Sequence, residues 1–567
     1  MLKIYRNTAL DKCRHLRDMQ RWQRCTHTKS SASDVKSEEN FFKWQKPLGQ
    51  FTGIRIYNHQ LRSKVPLVLR NPQMVTWYTC GPTVYDSTHL GHASTYVKVD
   101  IIQRILRDYF KLNLVTAMNI TDVDDKIIKR SKECNRSMLE LTRAYTSEFQ
   151  LDMQRLNVMP PDLLAHVSSN ILNIQRFIEQ LINSKQAYVA QDKSVYFDVA
   201  NCKSYGKLTD VSLDDVQPEE QQQLQHKRHP ADFALWKAKK EQYDPSWLAP
   251  WGGEGRPGWH IECSAIASMC FGSKLDFHAG GLDLRFPHHE NEEAQCCAHH
   301  EQEQWVNYWL HTGQLHLTGE QQKMSKSLGN TISVTQLLED YSADEFRMAC
   351  LLSNYRNAMP YSKELMQTAC QTLQKFHNFQ ADLQAYMQFL KPLKLLDEGA
   401  LVEQLQHMTA EFDNSLRDDF DTARAIGVLM DQMSSISRCI DDQQPDAEEQ
   451  PAHCLDLLLA AGNFIQKSMR IFGLSQLGAG IQTQAASADS EGINANALIA
   501  DILALRSKLR EQAVNGNLKN MALLAACDEM RNLLQQHGVK VRDHKQGSSW
   551  IYNAGRKIRE AAKKVVN

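Results

Sequence analysis

The chain of 567 residues is too long for a single hydrophobic core, so roughly three or four domains are expected from the usual domain size. Hydrophobic residues make up 42% of the sequence and charged residues 23%, as in ordinary globular proteins. No apolar run is long enough to span a bilayer, so we expect no membrane association. The fourteen cysteines lack the close, regular spacing of a disulfide framework and are expected to be mostly reduced and buried.

The formal net charge of −1 hides an asymmetry along the chain. Residues 1–30 contain eight Lys or Arg and two Asp or Glu, hence +6, which leaves −7 for the remainder. A body this acidic excludes nucleic-acid binding through a global positive field, so such contacts need local basic patches. Residues 1–45, basic and amphipathic and then rich in serine, resemble a mitochondrial transit peptide with a spacer, which predicts location in the mitochondrial matrix. A basic arm that touches RNA is the alternative.

The stretch that follows predicts the first half of an α/β domain. A strand at Val75–Tyr78 leads into a loop with Cys80 and Gly81, and His89-Leu90-Gly91-His92 stands just before a helical pattern. A helix N-terminus carries unpaired N–H groups that favour phosphate, so this strand-loop-helix unit suggests nucleotide binding. Two surface histidines are the alternative explanation.

The next strand, Leu112–Ile120, completes a strand-helix-strand unit typical of a parallel sheet. Ligands of such sheets bind at the carboxyl ends of the strands, so we expect Thr121 to contact substrate near Cys80 and His89. Acidic residues follow at once, and we expect them to cap the next helix: Asp122, Asp124 and Asp125.

Four dispersed residues suggest a metal site. Cys263 follows a Gly/Pro-rich turn, and His288 and Glu292 are spaced i, i+4, which places them on one face of a helix. With Cys80 they would supply two thiolates, one imidazole and one carboxylate, a set suited to Zn²⁺. Spacing alone leaves buried cysteines and surface histidines as the alternative, and other candidates lie close by: His278, His289 and Glu290.

A third stretch reads Lys323-Met324-Ser325-Lys326-Ser327. Two lysines among small hydroxyl residues can neutralise a polyphosphate as charge develops on a leaving pyrophosphate. A basic surface loop is the alternative for a pentapeptide of this kind. Its position after the histidine motif of an α/β pattern favours the phosphate role.

Taken together, the three stretches resemble cysteinyl-tRNA synthetases, a family of class I aminoacyl-tRNA synthetases. HLGH at 89–92 matches the first class I signature, with Leu90 where Ile is commoner, and KMSKS at 323–327 matches the second letter for letter. The turn before Lys323 looks longer than in many bacterial relatives. The resemblance is strong over residues 50–356 and weaker up to 550. Further segments match in the family's order: CGPTVYD, NITDVDDKIIK, DFALWK, GRPGWHIECSAI and GGLDLRFPHHENE.

The resemblance implies an α/β fold: a class I Rossmann-like parallel-sheet catalytic domain with an inserted connective subdomain, followed by an α-helical bundle and a small C-terminal tRNA-binding segment. The implied segments are 1–45 (transit peptide and spacer), 46–150 (first catalytic half), 151–240 (inserted subdomain), 241–315 (second catalytic half), 316–362 (KMSKS loop and stem-contact region), 363–477 (helical bundle), 478–496 (linker) and 497–567 (tRNA-binding segment).

The resemblance also assigns roles by motif position. One Zn²⁺ ion per chain would bind the substrate thiol, held by Cys80, Cys263, His288 and Glu292. The positions that match cysteine contacts are Gly81, Thr121 and Trp259. ATP, entering with Mg²⁺, would be bound by His89, Gly91, His92, Lys323, Met324, Ser325, Lys326 and Ser327, of which His89, His92, Lys323 and Lys326 are assigned to catalysis.

The last third of the sequence predicts helices. Apolar residues recur at spacings of three and four from Leu365 to Met387, as an amphipathic helix requires, and we expect them to form a bundle core. The Gly/Ala/Ser/Gln-rich stretch 478–496 is typical of a linker. The basic end of the final segment, from Arg556 to Lys564, could contact RNA phosphate, and a solvated charged helix face is the alternative.

The implied activity is ATP-dependent ligation of L-cysteine to tRNA(Cys) through a cysteinyl-adenylate, by a monomer. Two alternatives predict different sequences. A cysteine ligase acting on a small-molecule amine, similar to the mycothiol-pathway enzyme, should lack the helical extension beyond about Tyr361. A non-catalytic, zinc-containing RNA-binding protein should have a broken signature, whereas both signatures are intact. These residues carry no information about a cysteine persulfide-forming side activity, which the family includes.

Overall fold

The computed structural model describes residues 44–209, 226–242, 244–317, 331–391, 393, 396–441, 454–474, 495–515, 520–537, 539–544 and 547–552. The predicted transit peptide and the predicted linker, apart from their last two residues each, lie outside these ranges, as does the whole KMSKS pentapeptide. Among the helices of the described residues, none combines the length and the apolar character needed to cross a bilayer.

In these ranges the chain alternates strands and helices up to residue 317 and is mainly helical afterwards. The first part contains β1 (Gln50–Asn58), β2 (Ser63–Leu69), β3 (Val75–Thr79), α1 (Leu90–Arg104), β4 (Leu114–Ile120), α2 (Asp125–Cys134), α3 (Met138–Arg155), β5 (Leu163–His166), α4 (Ile171–Asn183), β6 (Ala187–Val189), β7 (Val195–Phe197), β8 (Phe233–Ala238), β9 (Trp247–Leu248), β10 (Glu254–Pro257), α5 (Trp259–Phe271), β11 (Leu275–Gly281), α6 (Glu290–His300), β12 (Val306–Thr312) and β13 (Leu315–Leu317). The second part contains α7 (Val334–Asp340), α8 (Ala343–Leu351), β14 (Met359–Tyr361), α9 (Lys363–Met387), α10 (Glu398–Arg417), α11 (Thr422–Asp441), α12 (Leu455–Ile471), α13 (Ala495–Asn515), α14 (Met521–Gln536), β15 (Val539–His544) and β16 (Gly547–Tyr552).

A five-stranded parallel sheet organises the first part, with the strand order β12-β11-β3-β4-β5. β3 and β11 are buried at every residue, which is typical of parallel strands covered on both faces and explains their continuous apolar sequence. α1 is the crossover between the parallel strands β3 and β4. The carboxyl ends of all five strands therefore lie at one edge. The predicted Rossmann-like α/β fold is confirmed.

The inserted region builds a second, largely antiparallel sheet with the order β6-β7-β8-β10-β9. This sheet spans residues 187–257, whereas the sequence placed the insert at 151–240. The difference at the start arises because β5 pairs with β4, Ala117 opposite Leu163, and so belongs to the parallel sheet. The strands of the insert are only two to six residues long and carry little periodicity from which to read a boundary.

The second part packs its helices around a core that is continuous with one face of the parallel sheet. α9 buries Phe376 and Phe379, as its three- and four-residue spacing predicts, and α10 contributes Phe412. Farther along, α13, α14 and the hairpin β15–β16 share a small core in which Leu503 packs near Val541. A helical C-terminal region is thus confirmed.

The three aspartates after β4 have different partners. Asp124 caps α2, since the Lys126 backbone N–H donates to its Oδ1 at 2.8 Å. Asp125 instead forms ion pairs with Lys237 and Arg256, and the Asp122 carboxylate accepts from Ser168. Capping is therefore confirmed for Asp124, Asp125 lies in the first turn of α2 where a negative charge favours the positive helix end, and the expectation is wrong for Asp122. Their interactions tie this turn to β8, to β10 and to the turn before α4.

Gly81 lies where the loop after β3 passes close to the end of β4. Its N–H donates to Asn119 Oδ1 at 2.8 Å, and a Cβ added at Gly81 would lie 1.6 Å from the Asn119 carbonyl oxygen. This contact is with rigid backbone, so the strand ends would have to separate.

We predict that Gly81→Ala destabilises the protein by about 1–3 kcal/mol or more, as overpacking does. A matched control is Gly427→Ala inside α11, where an added Cβ meets nothing within 4 Å. The higher helix propensity of alanine should leave that variant neutral or stabilised by up to about 1 kcal/mol. Thermal unfolding of both variants checks this, and a Gly81→Ala protein as stable as the control would contradict it.

Candidate active site and metal centre

Four donor atoms from distant parts of the sequence meet at the carboxyl edge of the parallel sheet. The Cys80 and Cys263 sulfur atoms are 3.6 Å apart, Cys80 Sγ lies 3.5 Å from Glu292 Oε1, and His288 Nε2 lies 3.0 Å from Glu292 Oε1. Donor atoms of all four residues lie within 4.8 Å of one another, and all four residues are buried. The structure thus brings together the four residues that the sequence proposed as ligands.

Local structure explains how each donor reaches this point. Cys80 directly follows β3, and Cys263 lies in the second turn of α5, which begins after the extended Gly258. His288 follows a kink at Phe286 and lies two residues before α6, so the i, i+4 spacing brings it next to Glu292. One loop and two helix starts therefore converge over the strand ends.

Two of the competing histidines also lie at this centre. His278 Nε2 is 2.9 Å from Glu292 Oε2, and His289 Nε2 is 3.4 Å from Cys80 Sγ. Cys80, His278, His289 and Glu292 form a second possible donor group, which shares Cys80 and Glu292 with the first. Glu290, in contrast, points away and accepts from the backbone N–H groups of residues 206 and 208 and the Thr209 hydroxyl, so it is excluded as a ligand here.

The protonation equilibria of this centre couple anionic donors to a protonated imidazole, since Glu292 and Cys263 overcome the effect of burial and raise the pKa of His288 to about 10. Burial opposes ionisation of Cys263, but the hydrogen bond with Cys80 and the neighbouring His288 outweigh it and lower the pKa of the Cys263 thiol to about 6. Burial likewise opposes ionisation of Glu292, yet His278 and His288 hold the pKa of this carboxyl well below its usual range. Two anionic donors are thereby held without contact with water. Two sulfurs, one imidazole and one carboxylate fit a zinc-like ion of borderline softness.

The three predicted substrate contacts surround the donor group. Gly81 adjoins Cys80, and the Trp259 ring stacks on His288 with the centroids 4.3 Å apart. Thr121 is linked through Asn119, whose Nδ2 lies 3.1 Å from the Thr121 hydroxyl and whose Oδ1 lies 3.6 Å from Cys263 Sγ. The Thr121 hydroxyl also donates to the buried Glu262 carboxylate at 2.8 Å.

Sequence reasoning missed four polar residues at this centre. The signal for three of them was their position inside segments already singled out, since Asn119 is two residues before Thr121, and His260 and Glu262 lie between Trp259 and Cys263. His260 Nδ1 lies 3.0 Å from His288 Nδ1. The fourth, His311 at the end of β12, gives no separate signal in the sequence, and its Nε2 lies 2.9 Å from His289 Nδ1.

The histidine motif forms the N-terminal turn of α1. His89 is the N-cap, its Nδ1 accepts from the Gly91 N–H at 3.1 Å, and its ring stacks on His92 with the centroids 3.9 Å apart. A side chain at position 91 would collide with the His89 ring, since an added Cβ would lie 2.7 Å from its Cε1. The Gly91 N–H is thereby bonded within the turn itself, and anion binding at this helix N-terminus stays a prediction.

The second signature, residues 323–327, lies outside the described ranges, but the chain on its carboxyl side is described. The Leu90 N–H donates to the Ile332 carbonyl oxygen at 2.9 Å, and His89 forms an isolated β-bridge with Ser333. The chain therefore continues from the KMSKS segment directly beside the histidine turn.

Comparison with known sequences identifies the family. The family model of the tRNA synthetases class I (C) catalytic domain matches residues 67–371, more than half of the chain. A probable mitochondrial cysteine–tRNA ligase of Xenopus tropicalis is 41% identical over 530 residues, covering 89% of this chain and 91% of the relative. A cysteine–tRNA ligase of Thermococcus gammatolerans is 37% identical over 502 residues, covering 88% of this chain and 98% of the relative.

Solved structures agree at the level of the fold. A structure of Mycobacterium tuberculosis methionyl-tRNA synthetase in complex with methionyl-adenylate covers 72% of this chain and 92% of its own, with a TM-score of 0.55 and 12% identity. At this identity the likeness concerns the fold alone. The match to the family model shows the family as well as the fold, and so do the sequence identities above 35% over most of this chain and of each relative. The chain therefore belongs to the cysteine–tRNA ligases, a family of class I aminoacyl-tRNA synthetases.

Proposed function

We propose that this enzyme ligates L-cysteine to tRNA(Cys) through a cysteinyl-adenylate, for protein synthesis in the mitochondrial matrix, and selects its substrate with one Zn²⁺ ion per chain. The observation that carries the proposal is the convergence of four buried donors, one of them in the loop that leads to the N-terminal turn of α1. A thiol-selecting centre and an anion-binding helix end are the two parts that cysteine activation by ATP needs. The mitochondrial role is supported by the Xenopus relative and by the basic leader.

The zinc ion would be held by Cys80, Cys263, His288 and Glu292. The second possible donor group shares Cys80 and Glu292 with this set and adds His278 and His289. When bound, Zn²⁺ supplies a soft electrophile that lowers the pKa of a coordinated thiol. This matters because serine is nearly isosteric with cysteine, and an apolar pocket separates such small differences by only about 1–3 kcal/mol. Gly81, Thr121 and Trp259 would enclose the rest of the amino acid.

ATP, as its Mg²⁺ complex, would be placed by His89, Gly91 and His92 at the start of α1. Lys323 and Lys326, with Met324, Ser325 and Ser327, would neutralise the pyrophosphate as it leaves. The cysteine carboxylate attacks the α-phosphorus and displaces pyrophosphate, and a hydroxyl of the terminal adenosine of the tRNA then attacks the cysteinyl carbonyl carbon and releases AMP. No covalent enzyme intermediate is needed, so these residues act by positioning and charge.

The presence of the helical second part favours tRNA over a small amine as the acceptor of the cysteinyl group. A ligase for a small amine has no need of α9–α14 and the hairpin β15–β16, all of which follow the catalytic region. We propose that the bundle and the final segment contact tRNA(Cys), and that the enzyme acts as a monomer. The match to cysteine–tRNA ligases extends over 89% of the chain and so includes part of this region.

The decisive experiment is an aminoacylation assay of purified protein with cysteine or serine and with mitochondrial or cytosolic tRNA, together with metal analysis. We expect cysteine charging of mitochondrial tRNA(Cys), negligible serine charging, and one zinc per chain. Cysteine-dependent ATP–pyrophosphate exchange without any charging of tRNA would favour a small-molecule acceptor. Absence of both activities would refute the proposed function.

Cys263→Ser should lower the zinc content and raise the KM for cysteine in pyrophosphate exchange, because a hydroxyl is a much poorer zinc ligand than a thiolate. Cys527→Ser is a matched control, since Cys527 is also a buried thiol but packs against Arg506 in the C-terminal segment. Unchanged zinc and unchanged kinetics in Cys263→Ser would refute the ligand assignment.

Lys326→Ala should slow adenylate formation on the order of 10²-fold or more, as loss of a charge-stabilising donor does, while cysteine binding survives. Rapid-quench measurement of adenylate and equilibrium cysteine binding separate the two effects. Lys467→Ala, an exposed lysine on α12, is the control and should change neither. If Lys326→Ala abolished cysteine binding instead, the KMSKS segment would belong to the cysteine-binding half of the site and not to the ATP-binding half.

A further inference from the structure

A fully buried ion pair joins the signature helix to the second part of the chain. Asp100 lies in the last turns of α1 and Arg347 lies in α8, and Arg347 Nη1 donates to Asp100 Oδ2 at 2.5 Å. The side chains are 1% and 0% exposed, so the interaction is shielded from water on both sides. Neither residue belongs to the proposed zinc, cysteine or ATP sites.

Both groups of this pair are almost completely satisfied. The Asp100 carboxylate also accepts from Arg104 Nε at 2.8 Å and from the Met159 N–H at 2.9 Å. Arg347 also donates to three carbonyl oxygens at helix ends: Leu156 and Asn157 after α3, and Phe472 after α12. Carbonyls at a helix C-terminus lack intrahelical partners, so one guanidinium group completes the ends of two helices.

The packing around Arg347 leaves little room for displacement. Gly473 follows α12 with a φ of +79°, and a Cβ there would lie 2.8 Å from Arg347 Nη1 and 3.0 Å from Arg104 Nε. The Gly473 carbonyl oxygen accepts from Asn157 Nδ2 at 2.6 Å. The guanidinium group thus lies in a cage formed by α1, α3, α8 and the end of α12.

α1 is consequently held near both ends by one stretch of chain. At its first turn the Leu90 N–H donates to the Ile332 carbonyl oxygen, and in its last turns Asp100 binds Arg347. Both partners lie in residues 331–351, which follow the KMSKS segment. The contacts fix the position of the helix along its own axis and therefore the position of its N-terminal turn.

Stability alone is a weak reason for such a pair. Desolvating two charges costs about as much as their attraction returns, and well-packed apolar residues of similar volume are often as stable or more so. What a charged, multiply hydrogen-bonded pair provides beyond an apolar contact is a defined geometry.

We propose that Asp100 and Arg347 are positioning residues for the ATP-dependent step, which set where the His89–His92 turn of α1 stands at the carboxyl edge of the sheet. The proposal rests on the proposed function. Since the proposed zinc ligands lie on the loop after β3, on α5, just before α6 and on α6, and not on α1, the pair should act on the nucleotide half of the site and leave the metal half unchanged.

The test measures zinc content, thermal unfolding, and kcat and both KM values of cysteine-dependent pyrophosphate exchange. Asp100→Asn leaves the buried Arg347 guanidinium without its carboxylate, and Arg347→Met leaves three helix-end carbonyls without their donor while Asp100 keeps Arg104, so both variants should be less stable. We expect kcat to fall and the KM for ATP to rise, on the order of 10- to 100-fold combined, with zinc content and the KM for cysteine unchanged.

The double variant D100N/R347M separates positioning from mere folding. It removes both charges but still leaves the helix-end carbonyls without their donor, so its thermal stability should recover only in part relative to Asp100→Asn while the ATP-step defect remains. Arg347→Lys keeps the charge but loses the planar fork, so it should keep most stability and show an intermediate defect. Lys64→Ala, which removes a partly exposed ion pair with Asp418 elsewhere between the two parts, is the control and should match wild type.

A double variant with wild-type kcat and wild-type KM for ATP would overturn the proposal. So would a loss of zinc or of cysteine affinity as large as the ATP-step defect. If the single variants fail to fold, the double variant and Arg347→Lys still decide. Failure of the proposed function is distinguishable, because the wild-type protein would then show no cysteine-dependent exchange.

Discussion

The structure depends on how two buried side chains that favour the anionic form are stabilised at the carboxyl edge of its parallel sheet. The Cys263 thiol and the Glu292 carboxyl both favour the ionised form although neither contacts water, because each is bound by neighbours that stabilise the anion. Buried anions are costly unless they are paired or coordinate a cation. Here His288, next to both groups, supplies the positive charge, and the same donor set would suit a divalent cation. The loop after β3, α5, β11 and α6 all bring side chains to this one point.

The parallel topology explains how residues that are far apart in the sequence come together at this centre. Adjacent parallel strands end at the same edge, so Cys80 after β3, Thr121 after β4 and His278 on β11 become neighbours although nearly two hundred residues separate the first from the last. The close approach of Gly81 to Asn119 allows the β3 and β4 ends to meet without a side chain between them. The same loop then leads into the His89 turn, so the metal centre and the helix N-terminus are adjacent by chain connectivity.

Much of this was readable in the sequence, for identifiable reasons. The spacing of His288 and Glu292 specifies one helix face, and the apolar runs of β3 and β4 specify buried parallel strands. The partners of Asp122 and Asp125 were not readable, because a local capping rule cannot anticipate Lys237, Arg256 or Ser168 from other elements. Nor could spacing show that Glu290 turns towards the insert. Contacts between residues that are far apart in the sequence can be identified only from the folded structure.

The metal half and the ATP half of the proposed site pack against different parts of the protein. The possible ligands are mounted on the parallel sheet and on helices that pack against the insert, within a hydrophobic cluster that contains Cys80, Cys263 and β8. α1 instead belongs to the cluster shared with the helical part, and its N-terminal turn is bonded to Ile332. A change in the helical part would therefore reach the ATP half of the site through α1 before it reached the thiol-selecting half. On the proposed function, the choice of amino acid would be independent of the region that contacts tRNA, while the timing of activation would not be.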